Sequence, residues 1–123
     1  MLLIRVGHQG AEKNRFLAAF GTFPASYAGL LPCADCPGIH YVVNLAADHG
    51  FKLNLRYIDR ENPVYTTGQW LLSYNGDRLT LQSTEKPPVY FTVVDYDTLR
   101  MLDTKGRKIE STLNYELQRF ATD

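Results

Sequence analysis

Both cysteines of the chain fall in one short stretch, Pro32-Cys33-Ala34-Asp35-Cys36-Pro37-Gly38-Ile39. Two residues separate the thiols, a spacing that can close a disulfide or, when reduced, hold a soft metal ion. Four chemistries compete for the pair. Zinc wants four ligands, usually from a second pair of cysteines or histidines at matching spacing. His8, His40 and His49 are scattered over an N-terminal arm, a strand and a turn, which argues against a structural zinc site. Thiol–disulfide catalysis wants a stabilised thiolate, commonly at a helix N-terminus. Pro37-Gly38 and an alternating β-like run follow Cys36 instead, and the Asp35 carboxylate opposes a neighbouring thiolate.

Cu(I) is the metal that suits the pair best, because a soft ion accepts few thiolate ligands. Cys33 and Cys36 are its candidate ligands, with His40 on the adjacent strand as a candidate third. His40 also fits a plain solvated strand position, and Met101 is the single internal methionine, so no methionine cluster marks a dedicated copper carrier. The remaining reading is a Cys33–Cys36 disulfide. Closing so short a loop contributes about 2 kcal/mol before strain, enough to fix a turn between two strands. On the residues alone, disulfide and metal both stand.

The elements around the pair read as strands from Ser26 onward. Ile39, Tyr41, Val43, Leu45 and Ala47 alternate with His40, Asn44 and Asp48 in the period-two pattern of a half-buried strand. Asp48-His49-Gly50 turns the chain into Phe51, Leu53, Leu55 and Tyr57. Val64, Thr66, Gly68, Trp70 and Leu72 share one side of the next strand, and Gly68 predicts a bulge or tight bend. Asn75-Gly76 predicts a two-residue hairpin turn leading into Leu79 and Leu81. Pro87-Pro88 breaks that run before Val89, Phe91 and Val93. Leu99 to Leu102 follows, then a turn at Asp103-Thr104-Lys105-Gly106. A last strand is expected through Leu113, Tyr115 and Leu117.

About eight short strands joined by tight turns imply an all-β antiparallel meander. Such a sheet avoids exposed edges by closing into a small barrel, with a two-sheet sandwich as the alternative. Ile39, Tyr41, Val43, Leu53, Leu55, Trp70, Leu72, Phe91 and Leu117 are the expected core. A barrel of this size can hold one small apolar ligand, with Trp70, Tyr41 and Phe91 as candidate cavity residues. Residues 1–25 read differently, as an N-terminal arm that either forms a short helix over 11–20 or is disordered, so the barrel domain is expected over 26–123.

Thirteen basic residues balance thirteen acidic ones, and no basic patch appears, which excludes nucleic acid as the expected partner. No apolar run reaches the roughly 20 residues of a membrane-spanning helix. The opening residues, Met1 to Val6, are too short for a signal peptide. Asp95 and Asp97 bracket Tyr96 as turn residues, and no serine carries a nucleophile motif, so a non-enzymatic protein is expected.

Tyr27-Ala28-Gly29-Leu30-Leu31-Pro32-Cys33-Ala34-Asp35-Cys36-Pro37-Gly38-Ile39 resembles the N-terminal domain of the NlpE family of copper-resistance or envelope-stress lipoproteins. Asp48-His49-Gly50, Gly68-Gln69-Trp70, Leu102-Asp103 with Gly106, and Asn114-Tyr115-Glu116-Leu117 fit the same pattern, over roughly Phe20 to Phe120. The resemblance implies a lipocalin-like barrel at the periplasmic face of the outer membrane, held by a lipid anchor. It also implies a role in copper homeostasis or envelope-stress sensing, through an envelope signalling protein as partner. No cofactor is required by that reading, and copper is the one it suggests. Two departures stand beside it: the chain shows no lipid-attachment cysteine, and it lacks the length for the second domain of some members. A carrier of a small apolar ligand and a thiol–disulfide redox protein are the alternatives.

Overall fold

The computed structural model describes residues 24–120, and its order is eight strands with no helix among them. They are β1 (Ala25–Leu31), β2 (Ile39–Leu45), β3 (Gly50–Tyr57), β4 (Val64–Leu72), β5 (Arg78–Gln82), β6 (Val89–Asp95), β7 (Thr98–Met101) and β8 (Glu116–Phe120). Each pairs antiparallel with the next, and β1 also pairs with β8, so the sheet closes into a barrel. The sandwich alternative is thereby excluded. The expected N-terminal arm and its helix lie outside the described residues, apart from Pro24 and Ala25.

Alternation decides what fills the interior. On β2, Tyr41, Val43 and Leu45 are buried while His40 is exposed; on β3, Phe51 and Leu53 are buried while Lys52 and Arg56 are exposed. Tyr27, Trp70, Leu79, Leu81, Phe91, Val93, Leu99 and Leu117 complete a single core from the other strands. Of the residues expected inside, Ile39, Leu55 and Leu72 are only half-buried. Ile39 and Leu72 sit at strand ends, and Leu55 faces a cavity described below.

Three local expectations are corrected. The strand through β2 stops at Leu45, because Ala46 opens a turn in which its N–H donates to Gly50 O (2.8 Å) and Ala47 faces solvent. Asn75-Gly76 lies in a longer turn than the two-residue hairpin expected, since Ser73 and Arg78 close it with a backbone bond of 2.8 Å. The Ser73 hydroxyl also donates to Asn75 and Asp77 there and accepts from Arg78 N–H. The last strand is only Glu116–Phe120, and Leu113 is exposed. Ser111 accepts from Leu113 N–H and Asn114 from Glu116 N–H, so side chains take backbone donors that a ladder would use.

Consecutive antiparallel strands leave loops alternately at two rims. Loops 32–38, 58–63, 83–88 and 102–115 crown one rim, which carries both cysteines. Turns 46–49, 73–77 and 96–97 lie at the other, with the outer ends of β1 and β8. That far rim is tied by polar contacts. His49, at a φ of 73°, stacks on Trp70 with ring centroids 4.1 Å apart, and Trp70 Nε1–H donates to Ala46 O at 2.8 Å. Tyr27 donates to Tyr96 O at 3.1 Å, while the Arg119 guanidinium donates to Tyr27 and lies 4.2 Å over the Tyr96 ring.

Gly68 is the tight position the sequence predicts. A Cβ there would stand 2.0 Å from Gln82 O and 2.8 Å from Phe51 Cε2, so β4 passes β5 with no room for a side chain. Gly68→Val is expected to lower unfolding free energy by roughly 1–3 kcal/mol, the range for overpacked sites, read from the urea midpoint. An unchanged midpoint would mean that β4 shifts freely and that the close approach constrains nothing.

Candidate functional site

The cysteine loop spans the gap between Leu31 and Ile39, the last register pair of β1 and β2. Prolines flank it on both sides, and Gly38 O accepts from Ile58 N–H at 2.9 Å, docking its far end on the next loop. Cys33 and Cys36 are half-buried with their sulfurs at disulfide distance, 2.20 Å, and their Cα atoms 5.3 Å apart. Asp35 lies between them in sequence, 3.5 Å from Cys33 Sγ through Oδ1. Its other oxygen pairs with Arg60 Nη2 at 3.1 Å, a second tie between loops 32–38 and 58–63. Both partners are solvated, so this tie is worth about 0–1 kcal/mol.

Among the described residues, the ligand atoms of Cys33, Asp35 and Cys36 form one cluster of potential metal ligands, within 4.8 Å of one another. His40, on the exposed outer face of β2 opposite Arg56, is not in it. As a disulfide the pair offers no metal ligand. As a dithiol it offers two soft sulfurs beside one hard carboxylate oxygen.

A second feature opens between loop 83–88 and residues 102–104: an apolar cavity of about 340 Å³ reaching into the barrel. Tyr41, Leu53, Leu55, Leu81, Val89 and Met101 form much of its wall. Of the three cavity candidates from the sequence, Tyr41 lines it. Trp70 and Phe91 are buried in the packed core and are not among its lining residues, although Phe91 meets Tyr41 edge-on at 6.0 Å. Tyr41 is only 4% exposed, and its hydroxyl has no hydrogen-bond partner among the described residues. Burial pushes its phenol up, with Tyr57 adding to the shift, so the hydroxyl stays a proton donor throughout the physiological range.

Sequence reasoning found the cysteines and Tyr41 but missed the Asp35–Arg60 tie and the cavity lip. Pro87-Pro88 was the available signal for that lip, because both prolines line the opening at the end of loop 83–88.

An eight-stranded up-and-down barrel with a paired-cysteine loop at its mouth is a lipocalin-like module. The family description NlpE N-terminal domain matches residues 27–112, and the chain belongs to that family. It is 36% identical over 96 residues to Lipoprotein NlpE of Escherichia coli (strain K12), a match covering 77% of this chain and 40% of that protein. The chain thus spans less than half the length of that curated relative. A protein structure from Shewanella oneidensis matches with a TM-score of 0.70 and 29% identity, covering 97% of this chain and 100% of that one. The E. coli structure, described as the Cpx pathway activator NlpE, matches with a TM-score of 0.61 and 33% identity, covering 76% of this chain and 49% of that one.

Because the cysteine loop is short and already docked by Gly38, the pair contributes little to the barrel itself. Replacing both cysteines by serine is expected to lower stability by no more than about 2 kcal/mol, with the far-UV β signal retained. Loss of that signal would show that the pair holds the whole sheet together.

Proposed function

We propose that this chain is the barrel module of a periplasm-facing outer-membrane lipoprotein that binds and signals and does not catalyse, with the Cys33/Cys36 loop as its responsive element. The observation that carries the reading is the pair of sulfurs at disulfide distance on a rim loop, with the Asp35 carboxylate in the same 4.8 Å cluster. The E. coli relative supports the setting: it is a lipoprotein by name, and its structure is described as that of the Cpx pathway activator. An envelope signalling protein is the partner this implies.

The loop has two chemical states. In the first, Cys33 and Cys36 are joined. An external dithiol supplies two electrons and two protons, becomes a disulfide itself, and leaves two free thiols on the loop. In the second state Cys33 and Cys36, as thiolates whose protons pass to solvent, would hold Cu(I) as a low-coordinate soft ion. The donor set fits copper in this state. Asp35 contributes negative charge beside the ion, since its hard oxygen is a poor Cu(I) ligand. Zn(II) would lack two of its four protein ligands and is discriminated against.

Anaerobic competition against a Cu(I) chelator tests this. Reduced wild type is expected to retain Cu(I), whereas Cys33→Ser and Cys36→Ser each lose it, and oxidation of the wild type abolishes it. His40→Ala is expected to bind as wild type does, because His40 stands outside the ligand cluster. Equal retention by wild type and both cysteine variants would remove the metal role and leave the pair as a staple of the turn.

A further inference from the structure

Closure gives every strand two neighbours, but β4 is not paired along its whole length on both sides. It meets β3 from Val64 to Gln69, whereas β5 joins it only from Gln69 to Leu72. In an antiparallel ladder the N–H and C=O of one residue point to the same neighbour, and successive residues alternate between neighbours. Trp70 fixes the parity, because its N–H donates to His49 O at 2.7 Å, on the β3 side. Ser73 N–H donates to Arg78 O at 2.8 Å, on the β5 side. Val64, Thr66 and Gly68 therefore bond β3, while Tyr65 and Thr67 direct their backbone groups to the side that β5 has left. Among the described residues, none pairs with those groups.

Two local features keep the gap open. Gln82 ends β5 by turning in over Gly68, where a Cβ would stand 2.0 Å from Gln82 O. Loop 83–88 then ends in Pro87-Pro88, which have no N–H to give a ladder. The unpaired stretch is nonetheless built as a strand. Val64-Tyr65-Thr66-Thr67 is β-branched or aromatic throughout, with neither charge nor proline. Charge and proline are the usual means of blunting such an edge, and here Tyr65 stands 70% exposed beside it.

Tyr65 and Thr67 present two donors and two acceptors over roughly 7 Å, two residues of strand rise. Another extended backbone supplies the complementary groups at that spacing. We propose that this half of β4 takes an extended peptide segment of another protein as an added strand, in the place that β5 leaves. Alternate side chains of the segment lie on the outer face beside the Tyr65 ring, which favours β-branched or apolar residues there. A second copy of this chain fits less well, since each copy carries loop 83–88 beside the same edge and pairing would bring the two loops together. The site stands apart from the chemistry of Cys33 and Cys36, so it does not depend on the copper reading.

Amide hydrogen exchange of the full chain, followed residue by residue by NMR, tests the premise. Thr66 and Gly68 are expected to be protected by β3, and Tyr65 and Thr67 to exchange freely. Protection of Tyr65 and Thr67 in the free protein would mean that the edge is already covered. Residues 1–23 would be the cover if protection is independent of concentration, and a second copy if it grows with concentration; either result overturns the proposal. The probe is a capped peptide, Lys-Thr-Val-Thr-Val-Thr-Lys, expected to bind saturably, one per chain, and to slow exchange at Tyr65 and Thr67. The same peptide N-methylated at its central residues keeps the side chains and loses the donors. It is expected to bind roughly 10- to 100-fold more weakly, as loss of two hydrogen bonds predicts. Thr67→Pro removes one outward donor at a position where proline is tolerated, so it is expected to melt close to wild type yet lose affinity for the probe. Thr66→Pro, which breaks a bond to β3, is expected to melt lower. Tyr65→Pro repeats the test at the other donor, and whichever of the two edge variants retains the β signal carries the comparison. Absence of saturable binding by wild type, equal affinity for the methylated peptide, or undiminished affinity in a folded edge variant would overturn the proposal.

Discussion

Closure of the sheet through β1 and β8 is the constraint on which the other features depend. β1 is paired along both sides, to β2 over Ala25 to Leu31 and to β8 over Ser26 to Ala28, so neither end strand of the sheet is left as a free edge. Closing eight strands forces each to tilt and obliges one face of every strand to look inward. The seam also runs close: a Cβ on Gly29 would stand 2.6 Å from Glu116 O. With the inward face fixed, period-two alternation assigns core and surface along β2, β3, β5 and β6. Even buried Ser26 is accommodated, because it faces Asn44 across the β1–β2 ladder and donates to its side chain.

The two rims solve the problem of ending a barrel differently. At the far rim, short turns fold over the core and ring contacts cover it: His49 lies on Trp70, and Arg119 lies over Tyr96. Those contacts leave Trp70 in the packed core. At the cysteine rim the connections are longer, up to the stretch between Met101 and Glu116, and they stand apart enough to leave the cavity open. The ring contacts at one end and the Tyr41-lined cavity at the other follow from loop length and from where the aromatic residues fall.

Strand order, the inward residues and the cysteine loop were legible in the sequence because each rests on local pattern. Alternation names the buried face, and Pro32 and Pro37 isolate the cysteines from the ladder. Features that depend on residues distant in sequence were not legible. Arg60 meets Asp35 only because two rim loops come together, and the Tyr41 hydroxyl is buried where none of the described residues offers it a partner. The end of the chain misled for a related reason. Leu113, Tyr115 and Leu117 alternate as a strand does, but Ser111 and Asn114 capture backbone donors and delay β8 to Glu116. Trp70 was a reasonable cavity candidate by residue type; its place near the far end of β4 puts it at the filled rim.

The division between rims also gives the domain a polarity. The chain enters the barrel at Ala25 and leaves it at Phe120, both at the far rim, while the paired sulfurs and the cavity mouth lie at the opposite one. A strand such as Ile39–Leu45, at roughly 3.3 Å per residue, sets these poles about 20 Å apart. Anything joined covalently to either end of the barrel therefore meets it on the side away from the paired sulfurs and from the cavity that Tyr41 lines. Mechanical pull through such a tether would load the β1–β8 seam directly, since both strands begin or end there, and would reach the cysteine loop only along the length of β1.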